Sequence, residues 1–339
     1  MFRERSGRVV LRSCARYPRA PGSRRASWVS GLALGGALLV AAAAGPPAPD
    51  REVWIVLSEN GGVYRQVADG IAATFAGSDA ARTTLRTLTR DEFPGAMAGS
   101  PRAGLIVSVG VDAARVSATG QGVPRLFTLL PKASFDALTA GTAGRSAPVS
   151  AVYLDQPPAR LLRLIRLGLP EARRVAMLFG PASAGQLLDF EAAARDQSLT
   201  LQAVTITEER QLFGALTRAL EGADVLLAVP DPQVFNRHTS QNILLETYRR
   251  RIPVIGYSEA YVEAGALLSL YSTPEQIGRQ AGEWLAAVGR PPAQRLPAAS
   301  HPKYFTVRSN RRVARSLALE LPADSLLARR LGAAPENMP

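Results

Sequence analysis

The chain has 339 residues, of which 47% are hydrophobic and 20% charged, and this composition excludes an intrinsically disordered protein. Its formal net charge is +12, but residues 1–44 hold eight arginines and one acid and therefore account for +7 of it. Because the rest of the chain carries only +5 and no dense Lys/Arg run with interleaved aromatic residues, the charge pattern argues against a nucleic-acid partner.

The amino-terminal segment has the layout of an export signal. Its arginine-rich start is followed by an apolar run over residues 28–44, which ends in small residues that offer a cleavage site before Gly45. Cleavage there predicts a periplasmic protein with residues 45–50 as a Pro-rich linker. The alternative is an uncleaved helix that tethers the protein to the membrane. The single cysteine, Cys14, precedes the apolar run, so the mature chain has no disulfide.

The first half of the chain, from residue 51, alternates short apolar strands with amphipathic helices. The predicted elements are strand 53–58, helix 63–75, strands 84–89 and 104–110, helix 112–119, strands 123–130 and 150–155, and a helix that reaches residue 167. Continuous runs of Val, Ile and Leu are typical of parallel strands that are buried on both faces, and the intervening helices indicate βαβ units.

The same pattern restarts at residue 173. Strands are predicted at 173–180, 199–206, 224–230 and 252–258, helices at 185–197, 210–220, 234–250 and 273–288, and a strand-helix pair at 304–317. About ten strands are too many for one small sheet, so we predict an α/β protein with two doubly wound parallel-sheet lobes joined by a hinge. A closed eight-fold βα barrel is the alternative, and the gap at 131–149 argues against it.

An acidic residue, Asp231, stands between two prolines just after strand 224–230. Ligands of open parallel sheets bind at the carboxyl ends of strands, so Asp231 lies where a ligand group would be held. The other interpretation is that Asp231 only caps the next helix, and the two roles are compatible. Three tyrosines, Tyr153, Tyr257 and Tyr261, are candidate walls for stacking a ligand or partly buried core residues.

Sequence motifs of enzymes are missing after residue 44. The chain there lacks G-x-S-x-G and both glycine-rich phosphate loops, and its two histidines, His238 and His301, have no metal-ligand spacing. We therefore predict no cofactor, no metal and no enzymatic activity, and we expect an exported binding protein. The competing hypothesis is an α/β enzyme that uses Asp231 and Glu259 as paired acid and base.

Four segments of the second half occur in an order that resembles the solute-binding proteins of ABC transporters with the type I periplasmic binding protein fold. They are ADVLLAVPDPQVF (223–235), RIPVIGYSE (251–259), VEAGAL (262–267) and IGRQAGEWL (277–285). The likeness is to the branch that binds tryptophan, phenylalanine or related small solutes, and it covers residues 150–318 well and 51–149 loosely. It implies lobe 1 from 51–150 plus 273–290, lobe 2 from 151–272 plus 291–320, and a tail at 321–339.

The resemblance also implies a ligand site between the lobes. In the family an aspartate at the position of Asp231 commonly holds the ligand's ammonium group. The other positions that match the family's cleft, or lie in the loops around it, are Ser58, Glu59, Gly110, Val111, Ser183, Tyr257, Ser258 and Glu259. The chain departs from the family at Gly185-Gln186, where an Asn-Ser pair is usual, and at Pro131-Lys132, where Asp-Pro is common.

The implied partners are a small-molecule solute, amino-acid-like or aromatic among the candidates, and the membrane permease of an ABC transporter. A periplasmic sensor, or an accessory protein of another uptake system such as an outer-membrane transporter, is the alternative. Hinge closure over the solute is the mechanism that this family implies.

Overall fold

The computed structural model describes residues 52–76, 83–99, 102–118, 122–140, 147–288 and 295–332. The predicted export signal and linker lie outside these ranges. None of the helices within them combines the length and the apolar character that a membrane crossing requires.

The first sheet has five parallel strands in the order β2-β1-β3-β4-β5. Its strands are β1 (Glu52–Leu57), β2 (Leu85–Thr89), β3 (Ala103–Val109), β4 (Arg125–Leu130) and β5 (Val149–Tyr153). The helices between them are α1 (Gly62–Ala76), α2 (Phe93–Ala98), α3 (Val111–Ala118) and α4 (Lys132–Thr139). Every residue of the central strand β3 is buried, as its continuous apolar sequence predicts for a strand covered on both faces.

The second sheet has six strands in the order β11-β10-β9-β8-β6-β7. The strands are β6 (Arg174–Phe179), β7 (Thr200–Thr205), β8 (Val225–Leu227), β9 (Val254–Gly256), β10 (Leu268–Tyr271) and β11 (Thr306–Ser309). All pairings are parallel except that of the edge strand β11 with β10. The helices of this lobe are α5 (Pro158–Gly168), α6 (Leu187–Asp196), α7 (Leu212–Leu220), α8 (Ser240–Arg249), α9 (Glu259–Ala264), α11 (Arg311–Ser316) and α12 (Asp324–Gly332).

Helix α10 (Pro274–Val288) lies between β10 and β11 of the second sheet in sequence but packs against α1 of the first lobe. Ile277, Ala281 and Leu285 are buried in the same core cluster as residues of β1 and α1. Three chain segments consequently join the two sheets: one after β5, one after β10, and one between α10 and β11. The predicted fold of two doubly wound lobes joined by a hinge is confirmed.

Several elements differ from the sequence-based expectations. Strand β8 is shorter than predicted and ends at Leu227, three residues before Pro230. Helix α8 begins at Ser240 because the Asn236 side chain accepts the N–H groups of His238 and Thr239 and closes a separate turn first. Helix α4 lies inside the predicted gap at 131–149.

The carboxyl-terminal segment, expected to be a tail from residue 321, contains helix α12. Leu327 and Leu331 of this helix are buried in the core of the second lobe. The apolar stripe of α12 is only two turns long and is interrupted by arginines, which explains why its periodicity does not stand out in the sequence.

Candidate functional site

The predicted site residues lie just beyond the carboxyl ends of parallel strands. The positions are Ser58 and Glu59 after β1, Gly110 and Val111 after β3, Ser183 after β6, Asp231 after β8, and Tyr257, Ser258 and Glu259 after β9. Strands β1 and β3 are neighbours in the first sheet, and β6, β8 and β9 are consecutive in the second. The fold therefore gathers these residues at one edge of each sheet, where ligands of open parallel sheets bind.

On the first lobe, Ser58 and Gly110 pack closely against each other at this edge. The Ser58 hydroxyl donates to the carbonyl of Val109 at 3.0 Å and accepts the N–H of Ala113 at 3.0 Å. Gly110 has a φ of +93°, and a Cβ there would lie 2.5 Å from the Ser58 hydroxyl oxygen. The hydroxyl of the buried Ser58 thus donates one hydrogen bond and accepts another within the lobe, whereas the Glu59 side chain is exposed.

On the second lobe, Asp231 links two loops. Its Oδ2 accepts the backbone N–H of Ser183 at 2.9 Å and the Ser183 hydroxyl at 2.8 Å, while Oδ1 accepts the N–H of Gln233 at 2.9 Å. The Asp231 carbonyl accepts the N–H of Phe235 at 2.8 Å, so this residue caps the turn that follows it rather than α8 itself. Asp231 is 1% exposed, and its contact with a ligand stays a prediction.

An aromatic cluster stands beside these loops. The rings of Tyr257 and Tyr261 are 4.7 Å apart, and both contact Phe235 edge-on. The Tyr257 hydroxyl donates to the carbonyl of Phe235 at 3.2 Å, and the Tyr261 hydroxyl bonds to the hydroxyl of Ser240 at 2.7 Å. Burial raises the pKa of Tyr257 and of Tyr261, so both hydroxyls stay protonated at neutral pH.

These tyrosines line a cavity of about 500 Å³, here called the tyrosine cavity, together with Phe235, Asn236, Arg237 and Ser258. Its volume is within the range of small-molecule sites, about 300–1,000 Å³. The third predicted tyrosine, Tyr153, lies on the first lobe instead, where it packs against Phe135 and His301.

Glu259 forms an ion pair with an arginine of strand β11. It begins α9 and forms an ion pair with Arg308 of β11 at 3.1 Å, with both side chains about half exposed. Because Asp231 bonds to Ser183 and Gln233, the two acids have separate partners in the described part of the chain. Their hydrogen bonding gives no support to the hypothesis of a paired acid and base.

A second, smaller cavity lies where the segment after β5 meets the second lobe and is here called the hinge cavity. It has a volume of about 20 Å³ and is lined by Asp155 and Gln156 from the segment after β5 and by Gln186, Phe190, Pro230 and Tyr257 from the second lobe. Asp155 is not among the site residues predicted from the sequence. A signal was available, because Asp155 ends a predicted strand directly before Gln-Pro-Pro, much as Asp231 stands before a proline.

Hydrogen bonds connect the segments that join the lobes. The Gln156 amide donates to the Ser272 hydroxyl at 2.9 Å, and that hydroxyl donates to the carbonyl of Tyr304 at 2.6 Å. Arg160 donates to the Gln156 side chain at 2.7 Å and to the carbonyl of Pro302 at 2.9 Å. One connected network thus spans all three joining segments at the hinge.

A further cavity of about 480 Å³ lies at the opposite edge of the second sheet. It is lined by residues that precede β6, β8 and β9, such as Ala172, Asp224 and Pro253. Ligands of open parallel sheets bind at the carboxyl ends of the strands, so we do not assign the solute site to this cavity. Among the described residues no group of three His, Cys, Asp or Glu could hold a metal ion.

Comparison with known proteins gives one family. A sequence model of the family described as ABC transporter substrate binding protein matches residues 138–326. No curated protein sequence matches the chain.

Solved structures share the fold at low sequence identity. A conserved domain protein from Vibrio cholerae is 19% identical with a TM-score of 0.58 over 83% of this chain and 98% of that one. An ABC domain in complex with L-Trp from Streptococcus pneumoniae is 16% identical with a TM-score of 0.57, over 82% and 98%. The ligand-free, open structure of a substrate binding protein with adhesive properties from Clostridium difficile is 15% identical with a TM-score of 0.64, over 81% and 97%.

Proposed function

Because the chain belongs to the family of ABC transporter substrate-binding proteins, we propose that it traps an aromatic or amino-acid-like solute between its lobes and delivers it to an ABC permease. The family supports a solute-binding receptor for a transport system. The kind of solute, the permease and a periplasmic location are the parts that we propose. A sensor or accessory role in another uptake system has no specific observation in its favour.

The observation that carries the proposal is the position of Tyr257. This residue lines both the hinge cavity, where the segment after β5 meets the second lobe, and the tyrosine cavity of the second lobe. An aromatic ring at such a place offers a flat apolar face, and its protonated hydroxyl offers a hydrogen bond. The neighbouring ring of Tyr261 extends this apolar face.

The mechanism is closure of the two lobes. A ligand shifts the equilibrium towards the closed state only if it binds that state more tightly than the open one. Closure brings the first-lobe edge at Glu59 and Val111 towards the second-lobe edge at Tyr257. The solute then contacts both lobes only in the closed state and binds that state more tightly. The similar structure that holds L-Trp supports an aromatic amino acid as the first solute to test.

The test is thermal unfolding of the purified protein after bound solute has been removed by unfolding and refolding. The panel contains amino acids, aromatic metabolites, purines and small cationic solutes. A ligand at 100 times its dissociation constant should add about 2.7 kcal/mol to the free energy of unfolding, which corresponds to a few degrees for a protein of this size.

A matched pair of tyrosine variants locates the site. Tyr257→Ala should abolish the ligand-induced shift, whereas Tyr248→Ala, at a tyrosine that is 50% exposed on α8, should keep it. A ligand-induced shift in melting temperature that persists in Tyr257→Ala would show that the solute binds outside both cavities. If no compound in the panel stabilises the wild type, the proposed class of solute is wrong.

A further inference from the structure

Asp155 occupies the place where the chain leaves the first lobe. It follows β5 closely and precedes α5, whose residues Leu161, Leu162 and Ile165 are buried in the core of the second lobe. The side chain is 6% exposed and lines the hinge cavity opposite second-lobe residues. A group bound to Asp155 would therefore contact both the joining segment and the second lobe.

The carboxylate of Asp155 is only half satisfied. Its Oδ2 accepts the backbone N–H of Lys132, whereas its Oδ1 is buried and has no hydrogen-bond partner among the residues that the structure describes. Burial raises the pKa of Asp155 more than the N–H of Lys132 and the nearby His301 lower it. An unpaired buried acceptor is costly, so a native structure that keeps one calls for a partner.

The nearby cations do not supply that partner. The Lys132 ammonium group is paired with Asp136 on the surface of α4, at 2.7 Å. His301 uses Nδ1 towards the carbonyl of Asp155, at 2.9 Å, and burial lowers the pKa of its ring, which favours the neutral form. Both side chains lower the pKa of Asp155 electrostatically, but neither donates a hydrogen bond to Oδ1.

The contrast with Asp231 decides which acid is available. All the hydrogen bonds that the Asp231 carboxylate accepts come from Ser183 and Gln233, and they use both of its oxygens. The charge of Asp231 is thus already compensated by three donors within the lobe, whereas a ligand at Asp155 would give Oδ1 its first hydrogen-bond partner among the described residues.

We propose that Asp155 binds the positively charged nitrogen of the solute, a protonated amine or a related N–H donor, in the hinge cavity. This inference rests on the proposed function and names the chemical class of its solute. The cavity of about 20 Å³ has room for roughly one water-sized group, and an ammonium group is of that size. Tyr257 lines this cavity and the larger tyrosine cavity, so it would contact the part of the solute next to its nitrogen.

The experiment compares three matched probes by calorimetric titration: L-tryptophan, tryptamine, which lacks the carboxylate, and indole-3-propionate, which lacks the amine. The proteins are the wild type, Asp155→Asn and Asp136→Asn. Asparagine at 155 keeps an oxygen for the Lys132 N–H and removes the charge. Asp136→Asn removes the same charge one helix turn from Lys132, on the surface, and circular dichroism checks that all three proteins are folded.

We expect the wild type to bind the amine-bearing probes and to bind indole-3-propionate at least tenfold more weakly. Asp155→Asn should lose at least tenfold in affinity for the amine-bearing probes only, and Asp136→Asn should match the wild type. A purely structural role of Asp155 would weaken all probes alike and would overturn the inference.

Two other results would also overturn it, in ways that separate it from the proposed function. If the wild type and Asp155→Asn bind the same probes equally well, the solute-binding function stands and only the role of Asp155 fails. If the wild type binds none of the three probes, the inference fails. The proposed class of solute fails as well only if no compound in the thermal unfolding panel stabilises the wild type.

Discussion

Ser183 donates two hydrogen bonds to the same oxygen of Asp231, one from its backbone N–H at 2.9 Å and one from its hydroxyl at 2.8 Å. The two residues are 48 positions apart in sequence, in the loops that follow β6 and β8. Ser183 is fully buried and Asp231 nearly so. This pair therefore joins two neighbouring loops of the candidate site independently of any ligand.

The first prediction concerns the stability of the protein without ligand. Asp231→Ala removes the acceptor of the two buried donors of Ser183 and of the part-buried N–H of Gln233, so it should lower the free energy of unfolding by about 2–4 kcal/mol in urea denaturation. Ser183→Ala should cost less, about 1–2 kcal/mol, because the backbone N–H of residue 183 keeps its bond to Asp231 and only the hydroxyl's bonds to Asp231 and to the Gly180 N–H are lost.

The control for this prediction is Asp196→Ala, which removes an acid exposed on the surface of the same lobe. It should leave the free energy of unfolding within about 0.5 kcal/mol of the wild type. If Asp231→Ala were as stable as Asp196→Ala, the Asp231 carboxylate would not stabilise the two loops that it joins.

The second prediction concerns the first-lobe edge. Gly110→Ala should destabilise the protein by about 1–3 kcal/mol, because the residue has a φ of +93° and the added Cβ would lie 2.5 Å from the Ser58 hydroxyl oxygen and 2.6 Å from a ring carbon of Tyr64. Gly61→Ala is the matched control, since nothing lies within 4 Å of its Cβ position. Equal melting temperatures for the two variants would show that the edge relaxes without cost.

The third prediction concerns the crossing of α10 to the first lobe. A Cβ at Gly278 would lie 2.5 Å from the carbonyl oxygen of Val67 and 3.0 Å from the Cα of Gly70, so the two helix backbones touch here. Gly278→Ala should therefore lower the free energy of unfolding by about 1–3 kcal/mol, although alanine is intrinsically better than glycine in a helix by about 1 kcal/mol.

The control isolates the helix preference. Gly214→Ala, on the exposed face of α7, meets only the end of the Arg218 side chain, at 3.6 Å, and should be neutral or stabilising. A Gly278→Ala protein as stable as Gly214→Ala would mean that α10 and α1 can separate freely, which would contradict the close packing.

Most of the architecture follows from the sequence because its strands are buried on both faces. The short, continuous apolar runs of β1, β3 and β6 are typical of strands that are covered on both faces. The helices between the strands require that these strands run parallel. Short or interrupted patterns carry less information. Helix α12 and the separate turn at Asn236 depend on tertiary contacts and on a side-chain hydrogen bond, respectively, and neither leaves a periodic signal.

The candidate site divides in the same way. The sequence predicts where the residues lie, because prolines and glycines mark the carboxyl ends of the strands before Asp231 and after Ser58. It does not predict which acid is already satisfied, since two of the three donors to Asp231 belong to Ser183, 48 residues away. For the same reason the unpaired oxygen of Asp155 is visible only once β4, β5 and the segment around His301 are packed together.

The last prediction uses the pKa of Asp155, which burial raises. The folded state then holds the carboxyl proton more tightly than the unfolded chain, whose pKa is about 3.9. The resulting stability is complete below pH 3.9 and is lost as the pH rises through the folded-state pKa. Asparagine at position 155 cannot ionise, so Asp155→Asn should gain stability relative to the wild type as the pH rises through this window.

Urea unfolding of both proteins between pH 4 and 9 measures this difference. The charged and titratable groups around the carboxyl are Lys132, His301, Arg160 and Tyr153, and all of them are present in both proteins. The lowered pKa of His301 adds stability as the pH rises towards 6.5 in both proteins. Because the Asp155 charge raises the pKa of His301, the asparagine variant should gain more from this residue than the wild type, in the same direction as the predicted difference. Asp136→Asn should run parallel to the wild type, and parallel curves for Asp155→Asn as well would show that the Asp155 carboxyl is not perturbed by its burial.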